Sequence, residues 1–114
     1  MPTFEISTTT VKPGIIRMDL SGELDASTAA QFRDEINQAA GQELKRLVLF
    51  MEALDYMASA GIRVLVFAKQ KMGADVDIYV VAAQDAVKET LKLTGLEGAL
   101  FIHDVYDAAV IENI

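Results

Sequence analysis

Short apolar runs that read as strands alternate along this chain with segments whose apolar residues recur at helical spacing, and few architectures accept that order. The run Arg46-Leu47-Val48-Leu49-Phe50-Met51 is apolar and β-branched enough for a buried strand. Asp77 to Ala82 is the next strand, and Leu100-Phe101-Ile102 a short last one. At the start, Phe4 to Val11 carries three consecutive threonines and reads as an edge-like strand. Lys12-Pro13-Gly14 then makes a turn, because proline pre-sets one dihedral and glycine relieves the next. Ile16, Met18 and Leu20 alternate onto one face of the strand from Ile15 to Leu20, so the first two strands pair as an antiparallel hairpin.

Helical periodicity fills the gaps. Ser21-Gly22-Glu23-Leu24-Asp25 breaks the second strand, and Asp25, Ser27 or Thr28 then caps a helix; Thr28 with Gln31 makes a capping-box pattern. Ala29, Phe32, Ile36 and Ala39 form its inner stripe, and Gly41 ends it. A second helix runs from Ile62 to Met72 and stops at Gly73, with Leu65, Ala68 and Met72 inward and Arg63, Phe67, Gln70 and Lys71 nearer the opposite side. Asp85 to Leu93 is a third helix with Val87 and Leu91 inward, and Tyr106 to Ile111 a terminal one with Ala109 and Val110 inward. Strands alternating with helices imply βαβ crossovers. The expected architecture is one α/β domain over residues 1–114. Its mixed, mostly parallel sheet has about five strands, with the antiparallel hairpin at its start and about four helices.

Composition narrows the functions. With 52% apolar residues in 114, the chain holds enough for a real core. Ten Lys and Arg against seventeen Asp and Glu give a net charge of −7, which argues against nucleic acid as a partner and favours encounter with a basic surface. No apolar run approaches the roughly 20 residues of a membrane span. The opening Met-Pro-Thr-Phe-Glu-Ile has neither a basic region nor an apolar core, so a cytoplasmic location is expected. Cysteine is absent, and the single histidine, His103, makes no metal site. Neither a phosphate-binding loop nor a dinucleotide fingerprint is present, so no cofactor is expected.

The residue that stands out is Ser59, a lone hydroxyl among Ala58, Ala60 and Gly61 where the buried strand hands over to a helix. Such a turn offers unpaired N–H groups and the positive end of the helix dipole, so it tolerates negative charge on the hydroxyl. Taken alone, the turn also fits a serine that merely caps the helix between close-packed alanines. Asp25 has the same double aspect, as a helix cap or as a carboxylate at a binding rim. Arg63, four positions beyond Ser59, is within helical reach of a phosphate there. Phe67 suits either a binding face or a periphery covered by a neighbouring loop. Ser59-Ala60-Gly61 is also the second half of a nucleophile elbow, but Met57 replaces its first glycine and His103 is the only base on offer, so hydrolysis is not expected.

Two motifs give the chain a family resemblance. Leu20-Ser21-Gly22-Glu23-Leu24-Asp25 matches a signature that follows the second strand of STAS domains. Met57-Ala58-Ser59-Ala60-Gly61-Ile62 aligns with their second signature, an apolar residue followed by Asp-Ser-Ser/Thr-Gly-Leu. Together they make the whole chain similar to STAS domains of the bacterial anti-sigma-factor-antagonist type. The resemblance implies a protein without enzymatic activity of its own that binds an anti-sigma factor which is also a serine kinase, freeing the sigma factor and so indirectly regulating transcription. It implies phosphorylation at Ser59, which ends binding, and a serine phosphatase that resets it. Asp25 corresponds to the loop aspartate beside the phosphorylation site, and Ala58, Ala60, Gly61, Arg63 and Phe67 fall around it as partner-binding candidates. The motif's aspartate is Ala58 here and its second hydroxyl residue is Ala60. These departures keep a second function open, a STAS scaffold or binding subunit of a transporter or signalling complex that works without phosphorylation.

Overall fold

The computed structural model describes residues 4–113; the first three residues and Ile114 lie outside them. Five strands form one sheet: β1 (Glu5–Lys12), β2 (Ile15–Leu24), β3 (Arg46–Met57), β4 (Asp77–Val81) and β5 (Phe101–His103). They lie side by side in chain order, β1 antiparallel to β2 and every later pair parallel. Helices α1 (Ala29–Ala40), α2 (Ser59–Met72) and α3 (Asp85–Leu93) connect the parallel strands, and α4 (Ala108–Ile111) ends the chain. Because the strand order never reverses, right-handed crossovers put α1 to α3 on the same face of the sheet.

Alternation along the strands divides the interior in two. Ile16, Met18 and Leu20 of β2, Leu47, Leu49 and Met51 of β3, and Ile78 and Val80 of β4 meet Phe32, Ile36, Leu65, Ala68, Val87 and Leu91 of the three helices. The intervening Ile15, Val48, Tyr79 and Val81 form a smaller cluster on the back, closed by Ile111. The apolar continuity of residues 47–51 is therefore two-sided: β3 is central, and both of its faces are covered.

Short α4 is held by polar contacts as well as by Ile111. The Arg46 guanidinium donates to the carbonyls of Val110 and Ile111, and Lys12 Nζ donates to the Glu112 carbonyl at 2.8 Å. Arg17 is ion-paired to Asp19 at 2.6 Å and lies against the rings of Phe50 (4.2 Å) and Tyr106 (5.1 Å). Burial, and a hydrogen bond donated to Glu112 at 2.6 Å, push the Tyr106 hydroxyl up to about 12.

Several boundaries differ from the sequence expectation. β2 does not break at Ser21: it runs to Leu24, with Gly22 at φ 87° beside irregularities in its ladder with β3. β3 runs six residues past Met51, and α2 begins at Ser59 rather than Ile62. β4 stops at Val81 because Ala82 takes the left-handed conformation, φ 60°. In α4 the inward residue is Ile111; Ala109 and Val110, expected inward, are exposed.

Candidate functional site

The rim at the carboxyl ends of β2 and β3 gathers the residues the sequence singled out. Leu24 pairs with Met57, and the Ala58 N–H extends that ladder by donating to the Leu24 carbonyl at 2.8 Å. Asp25 and Ser59 are the residues immediately beyond this last rung, so two segments far apart in sequence end side by side. The long ladder does this. A strand stopping at Ser21 would leave Asp25 on an untethered loop.

Ser59 is exposed and is the first residue of α2. Ala58, extended at φ −86° and ψ 175°, occupies the cap position, and no side chain caps this helix. Its carbonyl accepts from Gly61 N (2.9 Å) and Ile62 N (3.3 Å), so the backbone half of the cap is intact. The first N–H groups of a helix have no carbonyl one turn back to receive them. An aspartate at position 58 would supply a side-chain acceptor; alanine does not, and the positive end of the dipole stays uncompensated next to the Ser59 hydroxyl. Ala58→Asp is accordingly expected to raise the unfolding free energy by about 1 kcal/mol in urea titration.

Asp25 does not cap α1. Its Oδ1 accepts from Ser27 N (2.9 Å) and Ser27 Oγ (2.6 Å), a closed Asx-type turn. These hydrogen bonds hold its carboxyl below the ordinary range, so the rim carries a full negative charge at neutral pH. Thr28 sits at the cap position of α1, but its hydroxyl turns back, accepting from Asp25 N (2.9 Å) and donating to the Glu23 carbonyl (3.0 Å). The predicted capping box with Gln31 is therefore not formed: the threonine closes the β2–α1 loop instead of the helix.

The other candidates separate. Gly61 is buried, and the room left by its missing side chain is taken by Leu24 and Met57 of the same chain, so it shapes the corner from beneath rather than meeting a visitor. Ala60, Arg63 and Phe67 line an open groove between α1 and α2, opposite Ala29, Ala30 and Arg33. Phe67 is half-buried against the core, its ring 4.4 Å below the Arg33 guanidinium, so the cover comes from α1 and not from a loop. Arg33, which the sequence did not mark as a candidate, is a wall of this groove. Gln84 was also missed: its amide donates to the Glu52 carbonyl (2.9 Å) and to Asp55 (3.2 Å), tying the β4–α3 loop to the end of β3. His103 packs edge-on against Tyr79 of the back cluster at 5.3 Å, a structural use of the ring.

The STAS domain family model matches residues 7–109 of this chain. The chain belongs to the STAS domain family. Over 84 residues, 74% of this chain and 69% of the relative, it is 27% identical to the Mycobacterium tuberculosis anti-sigma-F factor antagonist RsfB. The crystal structure of an anti-sigma factor antagonist from Mycobacterium paratuberculosis superposes with a TM-score of 0.86 at 23% identity, covering 97% of this chain and 96% of that one. The anti-sigma factor antagonist SpoIIAA in its unphosphorylated form gives 0.80 at 18% identity, covering 93% of each. The phosphorylated Bacillus SpoIIAA gives 0.73 at 18%, covering 95% and 97%. At these identities the structures establish a shared STAS fold. Among the described residues of this STAS domain, no helix is long and apolar enough to cross a membrane.

Proposed function

We propose that this STAS domain is an anti-sigma-factor antagonist: a binding regulator, not an enzyme. In this function it engages an anti-sigma factor with serine kinase activity over the Ser59 corner and loses that engagement when Ser59 is phosphorylated. The observation that carries this is an exposed hydroxyl at the uncapped start of α2, on the same sheet rim as the ionised Asp25. A kinase must reach the acceptor oxygen from solvent, and no reorganisation of the domain is needed to admit it here. A phosphate adds a charge of about −1.5 to −2. The helix start tolerates it, while a partner packed on that corner must desolvate it. The named relatives are themselves described as anti-sigma factor antagonists, and SpoIIAA exists in both phosphorylation states. A serine phosphatase resets the cycle.

The test mixes the protein with candidate anti-sigma kinases and ATP. A single-phosphate mass shift that maps to Ser59 and disappears in Ser59→Ala is the expected result. Stable binding to such a kinase, or to a transporter or signalling partner, with no modification would replace the switch by a scaffold role. That outcome would trace to the alanines at 58 and 60.

A further inference from the structure

Charge is distributed unevenly in this protein. Helix α2 carries Arg63, Lys69 and Lys71 and no acidic residue in fourteen positions. The other 100 residues hold seven cations against seventeen carboxylates. One of these cations, Arg63, lies in the amino-terminal half of α2, beside a groove. The α1–α2 groove is lined by apolar side chains, Ala29, Ala30, Ala60, Val64 and Phe67, and by one arginine from each helix, Arg33 and Arg63. Both arginines are exposed. Arg33 is held in place by stacking over Phe67 at 4.4 Å, so it meets a ligand with little further ordering.

We propose that this groove is the specificity pocket of the partner interface, and that it takes an acidic–apolar helical segment of a protein, with an apolar side chain against the apolar lining and carboxylates between Arg33 and Arg63. The inference extends the proposed function, from which it takes only that a partner lies over the adjoining Ser59 corner. Complementarity fixes the chemistry. Two guanidinium forks facing one cleft suit carboxylates, which accept them in bidentate fashion. A concave groove suits a side-chain knob better than the plane of a lipid headgroup layer. The net charge of −7 further disfavours an anionic membrane or a polyphosphate backbone at long range. The surrounding acidic surface then favours a partner that is basic around this acidic segment, which sets the orientation of docking as well as its site. A phosphate on Ser59, one helical turn from Arg63, also competes in cis for the cation that the partner's carboxylate uses.

The test needs no cognate partner. A displayed library of randomised helical peptides is selected on the Ser59→Ala protein, in which phosphorylation plays no part, and binding of the winners is measured by fluorescence anisotropy. Peptides pairing Asp or Glu with an apolar anchor are expected, binding at least tenfold more weakly to Arg33→Glu and to Arg63→Glu and within twofold to Lys92→Glu on α3. Lysine-for-acid versions of the same peptides are expected to recover binding to Arg33→Glu/Arg63→Glu, which separates charge recognition from loss of fold. Selected peptides without acidic residues, no enrichment over selection on the double variant, or equal binding to it would overturn the proposal. So would phosphatidylglycerol vesicles that bind the protein through these two arginines, which would make the groove a membrane contact. Failure of Ser59 phosphorylation leaves these outcomes untouched, so the two proposals fall separately.

Discussion

Ser59→Asp is expected to lower affinity for the anti-sigma partner by at least about 30-fold while leaving the fold and its melting temperature essentially unchanged. The two halves of this result come from the same geometry. Ser59 is the first residue of α2, where the helix dipole favours an anion by roughly 0.3–1 kcal/mol at an exposed site, so the isolated domain gains or holds stability. In the complex the same carboxylate enters an interface beside Asp25, which is already ionised. Burying an unpaired charge at an interface costs about 2–5 kcal/mol. The low end of that range alone is a loss of about 30-fold, since 1.4 kcal/mol is tenfold. Isothermal titration with the partner, paired with thermal melts of each variant, reads both quantities, and Ser59→Ala is expected to bind like the wild type. Loss of affinity accompanied by a large fall in melting temperature would mean that position 59 acts through the fold. Undiminished affinity would remove the corner from the interface.

The element order, the antiparallel start and the parallel remainder were legible because periodicity and turn chemistry agree along most of the chain. What the sequence hid is local and has physical causes. Glu52, Ala53 and Asp55 read as the end of a strand because they are polar or small. They remain in β3 because β2 pairs with this stretch, while β4 pairs only as far as Phe50 and the Gln84 amide, donating to the Glu52 carbonyl, is the contact on the other edge. Gly22 read as a breaker, and it does take a left-handed conformation, but at an irregularity the ladder spans. Ser59 and Asp25 were identifiable as residues, while their adjacency was not, since it depends on the rung from Leu24 to Met57. The Arg33 wall of the groove could not be read at all without knowing that α1 packs beside α2. In α4, four residues are too few for a period to show which of Ala109, Val110 and Ile111 turns inward.

Gly61→Val is expected to destabilise the domain by about 3 kcal/mol and to weaken partner binding only as far as the folded fraction falls. A Cβ at position 61 would stand 2.8 Å from Leu24 Cδ2, 2.9 Å from Leu24 Cγ and 2.9 Å from Met57 Cγ. Leu24 and Met57 are themselves buried at the last rung of the β2–β3 ladder, with the core closed around them, so neither side chain has an open direction in which to retreat. Overpacking of this kind costs typically 1–3 kcal/mol. The two γ carbons of valine take it to the upper end, and little is recovered from replacing glycine in a helix, because valine is a poor helix former as well. Against a usual total of 5–15 kcal/mol, that is a large share of the stability of a 114-residue domain. Alanine at the same position adds only the Cβ and gains up to about 1 kcal/mol of helix propensity, so Gly61→Ala is expected to fall well short of the valine loss. Urea titrations of the two variants check the order. A valine variant as stable as the wild type would mean that α2 stands off the sheet at its first turn, and that the corner presenting Ser59 is looser than the packing of Leu24 and Met57 requires.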